Sequence, residues 1–287
     1  MKKVLLAFMT LSLFHITAPA NALEVPWVPA KKDIMMMMGS YSDSSLNPEK
    51  ISILVWNMYK GSNETWRRDY QNLIKGKDVI IAQEMYLNDQ MKDTFNEHEM
   101  FGYHTATSFM YVPSLTRTGV TTASYATPTS FIHQRSRALE PVINTPKMTL
   151  ITKYELEGMD QELMVVNIHS VNFVTVAAMK SQLVDAADEI EKHKGPVIFA
   201  GDFNTWSWGK VVTMKRVLED RLGMKEVTYK VDNRKKVFGE IIDYIYVKGL
   251  EVVESESFSE EQIPGSDHPP MTAVLRVPGP AKLADNQ

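Results

Sequence analysis

In Phe199-Ala200-Gly201-Asp202-Phe203-Asn204-Thr205 an acid and an amide stand two residues apart at the end of an apolar run. Pro196 to Ala200 reads as a strand passing through a sheet. Gly201 permits close backbone approach or an unusual φ at the mouth of that strand. In extended chain Asp202 and Asn204 point to one side. A carboxylate and an amide converging on one spot suit a phosphate and its attacking water. The same residues also make a plain turn in which Asp and Asn bond their own backbone, so the rest of the chain has to decide.

Five more apolar stretches carry polar groups at an end or adjoining loop. These are Ile51 to Asn57, Asp78 to Glu84, Glu162 to His169, Glu240 to Val247 with Asp243, and Met271 to Val277 with the preceding loop Gly265-Ser266-Asp267-His268-Pro269-Pro270. Singly, each also reads as a cap, a turn or a surface group, and a lone strand-end acid is structural more often than not. Six in one chain predict more, because strand ends of a layered sheet meet at a common rim. The groups expected there are Asn57, Glu84, His169, Asp202 with Asn204, Asp243, and Asp267 with His268.

The elements that must position them form a mixed pattern. Thr65 to Lys75 reads as a helix with Trp66, Tyr70 and Leu73 inward. Val174 to His193 is the clearest helix, with Val176, Met179, Leu183, Ala187 and Ile190 at helical spacing and Gly195-Pro196 as its stop. Lys210 to Leu222 gives a further helix ending at Gly223. Residues 102–152 read as short β segments with Pro and Thr turns. Glu240 to Val247 and Leu250 to Ser257 read as a strand pair turned at Lys248-Gly249. Many strands and few helices without strict alternation predict an α+β fold, with helices packed outside a pair of sheets.

The chain has 287 residues, of which 44% are hydrophobic and 23% charged, enough for one large core. No second composition regime or repeat appears, so a single domain is expected over 48–278. Residues 279–287 are expected to be a disordered tail. The formal net charge of −4 gives no support for a nucleic-acid partner, although a local basic groove is still open. The absence of cysteine excludes disulfides, thiolate metal sites and a Cys nucleophile. Met1-Lys2-Lys3, an apolar stretch to Thr17 and Ala20-Asn21-Ala22 read as a signal peptide over 1–22, with export to the periplasm or medium of a bacterial-type cell. The mature chain shows no transmembrane segment. With Pro26, Pro29, the Met35 to Met38 run and a Ser-rich stretch, 23–47 is expected to be a linker or tether without regular structure.

Trp56-Asn57, Gln83-Glu84, Asn167-Ile168-His169, Gly201-Asp202-Phe203-Asn204, Ile242-Asp243-Tyr244 and Ser266-Asp267-His268-Pro269 resemble, in order, the motifs of the endonuclease–exonuclease–phosphatase family. That fold is shared by pancreatic deoxyribonuclease, exonuclease III and neutral sphingomyelinases. The resemblance covers most of the mature chain and is loosest over 102–147. It implies a four-layer α/β/β/α sandwich of two mainly antiparallel sheets, with the site on one edge. It also implies a divalent cation, usually Mg²⁺ with Mn²⁺ or Ca²⁺ as alternatives, with Glu84 as main ligand and Asn57 and Asp267 nearby. Oxygen donors and the lack of a multi-His set agree with Mg²⁺.

The implied reaction is hydrolysis of a phosphodiester by in-line water attack. His268, oriented by Asp243, would serve as general base or transition-state donor. Asp202 would orient or deprotonate the water, Asn204 would hold a phosphate oxygen, and His169 would donate to the phosphate. DNA is the first expected substrate. A phospholipid, phosphoinositide or small phosphate ester is the second, and a non-catalytic binding domain on the same fold is the third reading. No obligate protein partner is evident. For substrate binding, Arg135 with His133, Arg137 and Lys147 reads as a phosphate groove or a solvated face. Asn172-Phe173 reads as a substrate-side pair or a core Phe beside a helix cap. Phe109 to Val112 is a weak candidate for an apolar rim.

Overall fold

A computed structural model describes residues 23–279. In chain order the elements are β1 (Val25–Trp27), β2 (Met35–Gly39), β3 (Ser45–Leu46), β4 (Ile51–Asn57), α1 (Trp66–Leu73), β5 (Val79–Tyr86) and α2 (Asp89–Asn96). Four strands follow, β6 (Gly102–Val112), β7 (Thr116–Ser124), β8 (Pro128–Arg135) and β9 (Met148–Leu156). Then come β10 (Glu162–His169), α3 (Val176–Glu191), β11 (Val197–Asp202) and α4 (Trp208–Lys215), which runs on into a π-helical turn over Arg216–Arg221. The chain closes with β12 (Lys225–Glu226), β13 (Lys236–Val237), β14 (Glu240–Ile241), β15 (Asp243–Lys248), β16 (Glu251–Ser257) and β17 (Met271–Arg276).

Eight strands form one sheet in the order β1-β6-β7-β5-β4-β17-β16, with β2 also on β6. Seven form the other in the order β12-β15-β11-β10-β9-β3, with β8 also on β9. β13 and β14 make a separate hairpin. The two-residue period of each central strand builds the layers. Ile53 and Val55 of β4 and Ile81 of β5 meet Leu163, Val165 and Ile198 of the facing sheet in one core cluster. The alternate residues Leu54, Trp56 and Ile80 pack outward on Trp66, Tyr70, Met91 and Phe95 of α1 and α2. On the other side Met164, Val166 and Phe199 pack on Met179, Leu183, Ile190 and Met214 of α3 and α4. The result is the four-layer α/β/β/α sandwich. Runs such as Ile51 to Asn57 are buried on both faces and therefore read as continuous apolar sequence.

Two expectations are corrected. The stretch 23–47 is not a bare tether. β1 and β2 add antiparallel to β6, β3 adds parallel to β9, and Ile34 and Leu46 are buried. Short, proline-interrupted strands carry little local signal and take their structure from the long neighbours they pair with. Tyr41 from this segment packs where a Cβ on Gly102 would stand, its ring within 2.1 Å of that point. Also, β15 and β16 do not form a hairpin. β15 pairs with β11 and β12, whereas β16 pairs with β17 in the other sheet. The turn at Gly249, with φ 67, thus carries the chain between layers. The expected signal peptide, and the tail from residue 280 on, lie outside the described residues. Among those described, no helix is long and apolar enough to cross a membrane.

Candidate active site

Strand register brings the predicted groups together. β10 and β11 run parallel with His169 opposite Asp202, and β11 and β15 run antiparallel with Asp202 opposite Asp243. Three adjacent strands therefore present three polar side chains at one level. Gly201 allows this pairing at its end. Its φ is 137°, and a Cβ there would lie 2.0 Å from the carbonyl oxygen of Ile168.

The facing sheet supplies the other half. Asn57, last residue of β4, donates from Nδ2 to Asp202 Oδ2 at 3.1 Å and accepts the N–H of Tyr59 at 3.1 Å. β5 is bulged between Gln83 and Met85, and Glu84 sits in that bulge at φ 53. A bulge re-aims a side chain out of the ladder, and Glu84 lines the cleft. The loop before β17 is pinned from below. Trp56 Nε1 donates to the His268 carbonyl at 2.8 Å, and Ser266 Oγ donates to the Asn57 carbonyl at 2.6 Å. This delivers His268 to Asp243, with Nδ1 donating to Oδ2 at 2.8 Å. Between the sheets, Gln83 Nε2 donates to Asn167 Oδ1 at 2.8 Å, a polar tie that the sequence reading did not anticipate.

The groups surround an open cleft of about 350 Å³ lined by Glu84, His169, Asp202, Asn204, Asp267 and His268. His169 Nε2 lies 3.5 Å from Asp202 Oδ2 and 4.0 Å from Glu84 Oε1. Asn204, at φ 50, donates its backbone N–H to Asp202 Oδ1 at 2.9 Å and its Nδ2 to the Ser170 carbonyl at 2.8 Å. One amide hydrogen remains for a ligand. Asn172 also lines the cleft, where its Oδ1 accepts from Trp206 Nε1 at 2.7 Å.

Arg135 is not in the cleft. Its guanidinium donates to the Pro29 carbonyl at 2.7 Å, so it fastens the N-terminal segment to β8. Arg137 pairs with Asp185 of α3 at 2.7 Å. Lys147 does line the cleft, 3.2 Å from Glu140. Sequence reading missed Lys210. It is buried, with Nζ 3.3 Å from the Asn204 carbonyl and 4.2 Å from the centre of the Trp206 ring. Burial pulls its ammonium down to about 8, against the opposing attraction of Asp202. The available signal was only a lysine six residues beyond Asn204, near the start of the following helix.

Burial sets opposed proton affinities across the site. It raises Asp202 to about 7, helped by the neighbouring Asp243 charge and opposed by His268. Burial alone would strip the proton from His268. The carboxylates of Asp243, Asp202 and Asp267 outweigh it and lift that imidazole to about 10. Burial, with Lys147 and His268 adding repulsion, holds His169 well below the usual histidine range and keeps it neutral. At neutral pH the cleft thus holds an imidazolium, a neutral imidazole donor and a carboxyl near its titration point.

The donor set fits a hard divalent cation. Glu84 and Asp267 line the same cleft, and Asp267 Oδ1 is buried without a hydrogen-bond partner. The Asp267 carboxyl is raised by burial, against His268, and the Glu84 charge adds to the rise. Converging carboxylates that repel one another, with an orphaned oxygen, are what Mg²⁺ with its oxygen preference satisfies. Asp202, Asp243 and His268 also bring ligand atoms within 4.8 Å of one another. There the His268 proton already bridges to Asp243, so that group has its counter-charge.

Comparison with known proteins bears on the fold and the family. The chain is 32% identical over 233 residues to the UPF0294 protein of Erwinia tasmaniensis, covering 81% of this chain and 83% of that one. It is 33% identical over 228 residues to the UPF0294 protein of Klebsiella pneumoniae, covering 78% and 81%. Among solved structures it superposes on an endonuclease/exonuclease/phosphatase from Beutenbergia cavernae with a TM-score of 0.65, at 14% identity over 80% of this chain and 72% of that one. It superposes on the human Nocturnin catalytic domain, solved with bound sulfate, at 0.59 and 15% identity over 85% and 98%. The profile of the Endonuclease/Exonuclease/phosphatase family matches residues 54–268, the span that carries the predicted catalytic and metal-ligand residues, and the chain belongs to that family.

Proposed function

We propose that the protein is a divalent-metal-dependent phosphodiesterase that cleaves its ester by in-line attack of water. The observation that carries this is the single level of His169, Asp202 and Asp243 across three paired strands, with His268 on Asp243 and Glu84 and Asp267 in the same cleft. Glu84 and Asp267 would hold the cation, with the Asn57 amide beside them; when bound it supplies electrostatic stabilisation of the phosphate charge. Asp202 orients the water and accepts its proton, since its proton affinity sits near neutrality. His268 enters charged and donates to a phosphate oxygen, while Asp243 fixes its ring and stabilises its charge. Neutral His169 donates a second hydrogen bond, and the remaining Asn204 amide hydrogen a third.

DNA was the substrate expected first. The cations at the cleft are mostly engaged: Lys147 with Glu140, Lys235 with Glu260 at 3.2 Å, and Lys60 with the Tyr111 hydroxyl at 3.1 Å. Among the described residues the cleft is lined by these three lysines and no dense Lys/Arg track, so the proposal stands at the level of the phosphodiester. The test is hydrolysis of bis-nitrophenyl phosphate and nicking of supercoiled plasmid, each in Mg²⁺ and in EDTA. Magnesium-dependent release from the small diester is expected. Cleavage of neither would remove the proposal and favour a binding domain.

A further inference from the structure

The mouth of the cleft carries apolar side chains that the fold does not use. Val142, Phe173 and Phe238 are 82%, 69% and 75% exposed. Each sits on left-handed backbone, at φ 75, 52 and 52. That conformation is costly for non-glycine residues and most of all for a β-branched one. Exposure forfeits burial energy and the backbone adds strain, so all three positions work against stability. Such residues mark a surface that meets something apolar.

They come from three separate loops, and two of them, Phe173 and Phe238, line the cleft. Phe238 and Gly239 form the two-residue corner between β13 and β14, with φ positive at both, as a type I′ turn requires. Asn or Gly is favoured at such a corner, yet Phe stands there. Phe173 follows the His169 strand, and Val142 precedes Ile143, which lines the cleft. Trp206 joins the set, its ring centre 6.3 Å from Phe173 and 6.2 Å from Phe238.

We infer that this rim docks on a phospholipid surface, so that the ester offered to the cleft is carried by a lipid. The inference rests on the phosphodiesterase reading above. Two observations separate a lipid from an unstacked nucleobase. The rings meet at 37° and 75° to one another, so none of these pairs forms a parallel slot that would sandwich a base. The rim is also partly aliphatic, through Val142 and Ile143, which serves an acyl phase better than base stacking. Lys236 stands exposed two residues before Phe238 on one hairpin arm, with Glu240 two residues after it on the other; from its place the long cationic side chain reaches lipid phosphates while the tip enters the apolar layer.

The test is co-sedimentation of the purified protein with vesicles of phosphatidylcholine and phosphatidylglycerol at a ratio of about three to one, an anionic surface of the kind exposed lysines recognise. EDTA is present throughout, so that no turnover occurs. The wild type is expected to sediment with the vesicles. Phe238→Asp and, independently, Val142→Asp are each expected to weaken partition about tenfold or more. Val253→Asp, exposed on β16 outside the cleft, should bind like the wild type. Wild-type protein that stays in the supernatant, or rim variants that sediment undiminished, would overturn the inference. So would rim variants that lose only binding to a single-stranded oligonucleotide. Hydrolysis of bis-nitrophenyl phosphate without vesicle binding overturns the docking alone. Vesicle binding without hydrolysis overturns the reading it rests on, and the lipid substrate with it.

Discussion

His169 and Asp202 occupy the last rung of the parallel pairing between β10 and β11, with their side chains 3.5 Å apart. Asp243 stands at the same level on the neighbouring strand β15, opposite Asp202. The arrangement places two buried acids side by side, and the cost of that proximity is visible in the raised proton affinity of Asp202. Asp202→Asn removes the repulsion while keeping the shape. It is therefore expected to unfold at the same temperature as the wild type or higher, with turnover down about 10²-fold or more through loss of the proton acceptor. His268→Ala is expected to lose a similar factor. Thermal unfolding beside hydrolysis of a small diester checks both. Near-parental turnover in the two variants would remove their assigned roles.

Glu84 and Asp267 are read as the cation ligands. Binding to the native state alone raises stability by about 2.7 kcal/mol at a hundredfold excess over the dissociation constant. Mg²⁺ should raise the wild-type melting temperature, and Glu84→Gln and Asp267→Asn should each shrink that rise. Asp267→Asn should also melt later than wild type in EDTA, because the orphaned, repelled carboxylate is gone. An unchanged magnesium response in both variants would contradict the assignment.

Gly201 is expected to tolerate no side chain. At φ 137 an alanine is strained by about 1–3 kcal/mol, and its Cβ would also collide with the Ile168 carbonyl inside the β10–β11 ladder. Gly201→Ala should shift the urea midpoint strongly downward or prevent recovery of folded protein. A midpoint within error of the wild type would mean that this strand end can relax, and that the register at Asp202 is less fixed than described.

The site was more legible in sequence than the frame around it, for a physical reason. A strand buried on both faces must be a run of apolar residues, so Ile51 to Asn57, Val79 to Glu84 and Val197 to Asp202 announce both the strand and the polar group at its tip. Register then does the assembly. β1, β2 and β3 have no such signature, since two to five residues on a sheet edge need only one strong neighbour. β16 is largely exposed, and its alternation could not say which sheet it joins. Arg135 looked like a phosphate ligand because a guanidinium suits phosphates and backbone carbonyls alike; only its position against Pro29 decides between them. Val142 and Phe238 carry no mark in the sequence, and Phe173 stays open there between a substrate-side and a core reading, because exposure is a property of the folded loops.

His104 links the corrected N-terminal segment to acid stability. Its ring is 2% exposed, and the Tyr41 hydroxyl donates to Nδ1 at 2.6 Å. Burial lowers this imidazole to about 4 and raises the Tyr41 phenol to about 12, so the pair is neutral and the phenol keeps its proton. The folded pKa lies below the unfolded value of about 6.5, so the unfolded chain binds the extra proton. The stabilising contribution is complete above pH 6.5. It is lost as pH falls from 6.5 toward 4 and levels off below, at a slope of at most about 1.4 kcal/mol per pH unit. His98, His133, His169 and His193 shift in the same direction, so the comparison has to be between curves. His104→Gln can still accept from Tyr41 but cannot titrate. Its urea stability should fall less steeply than the wild type's between pH 6.5 and 4. Parallel curves would show that His104 protonates in the folded protein without loss of the Tyr41 contact.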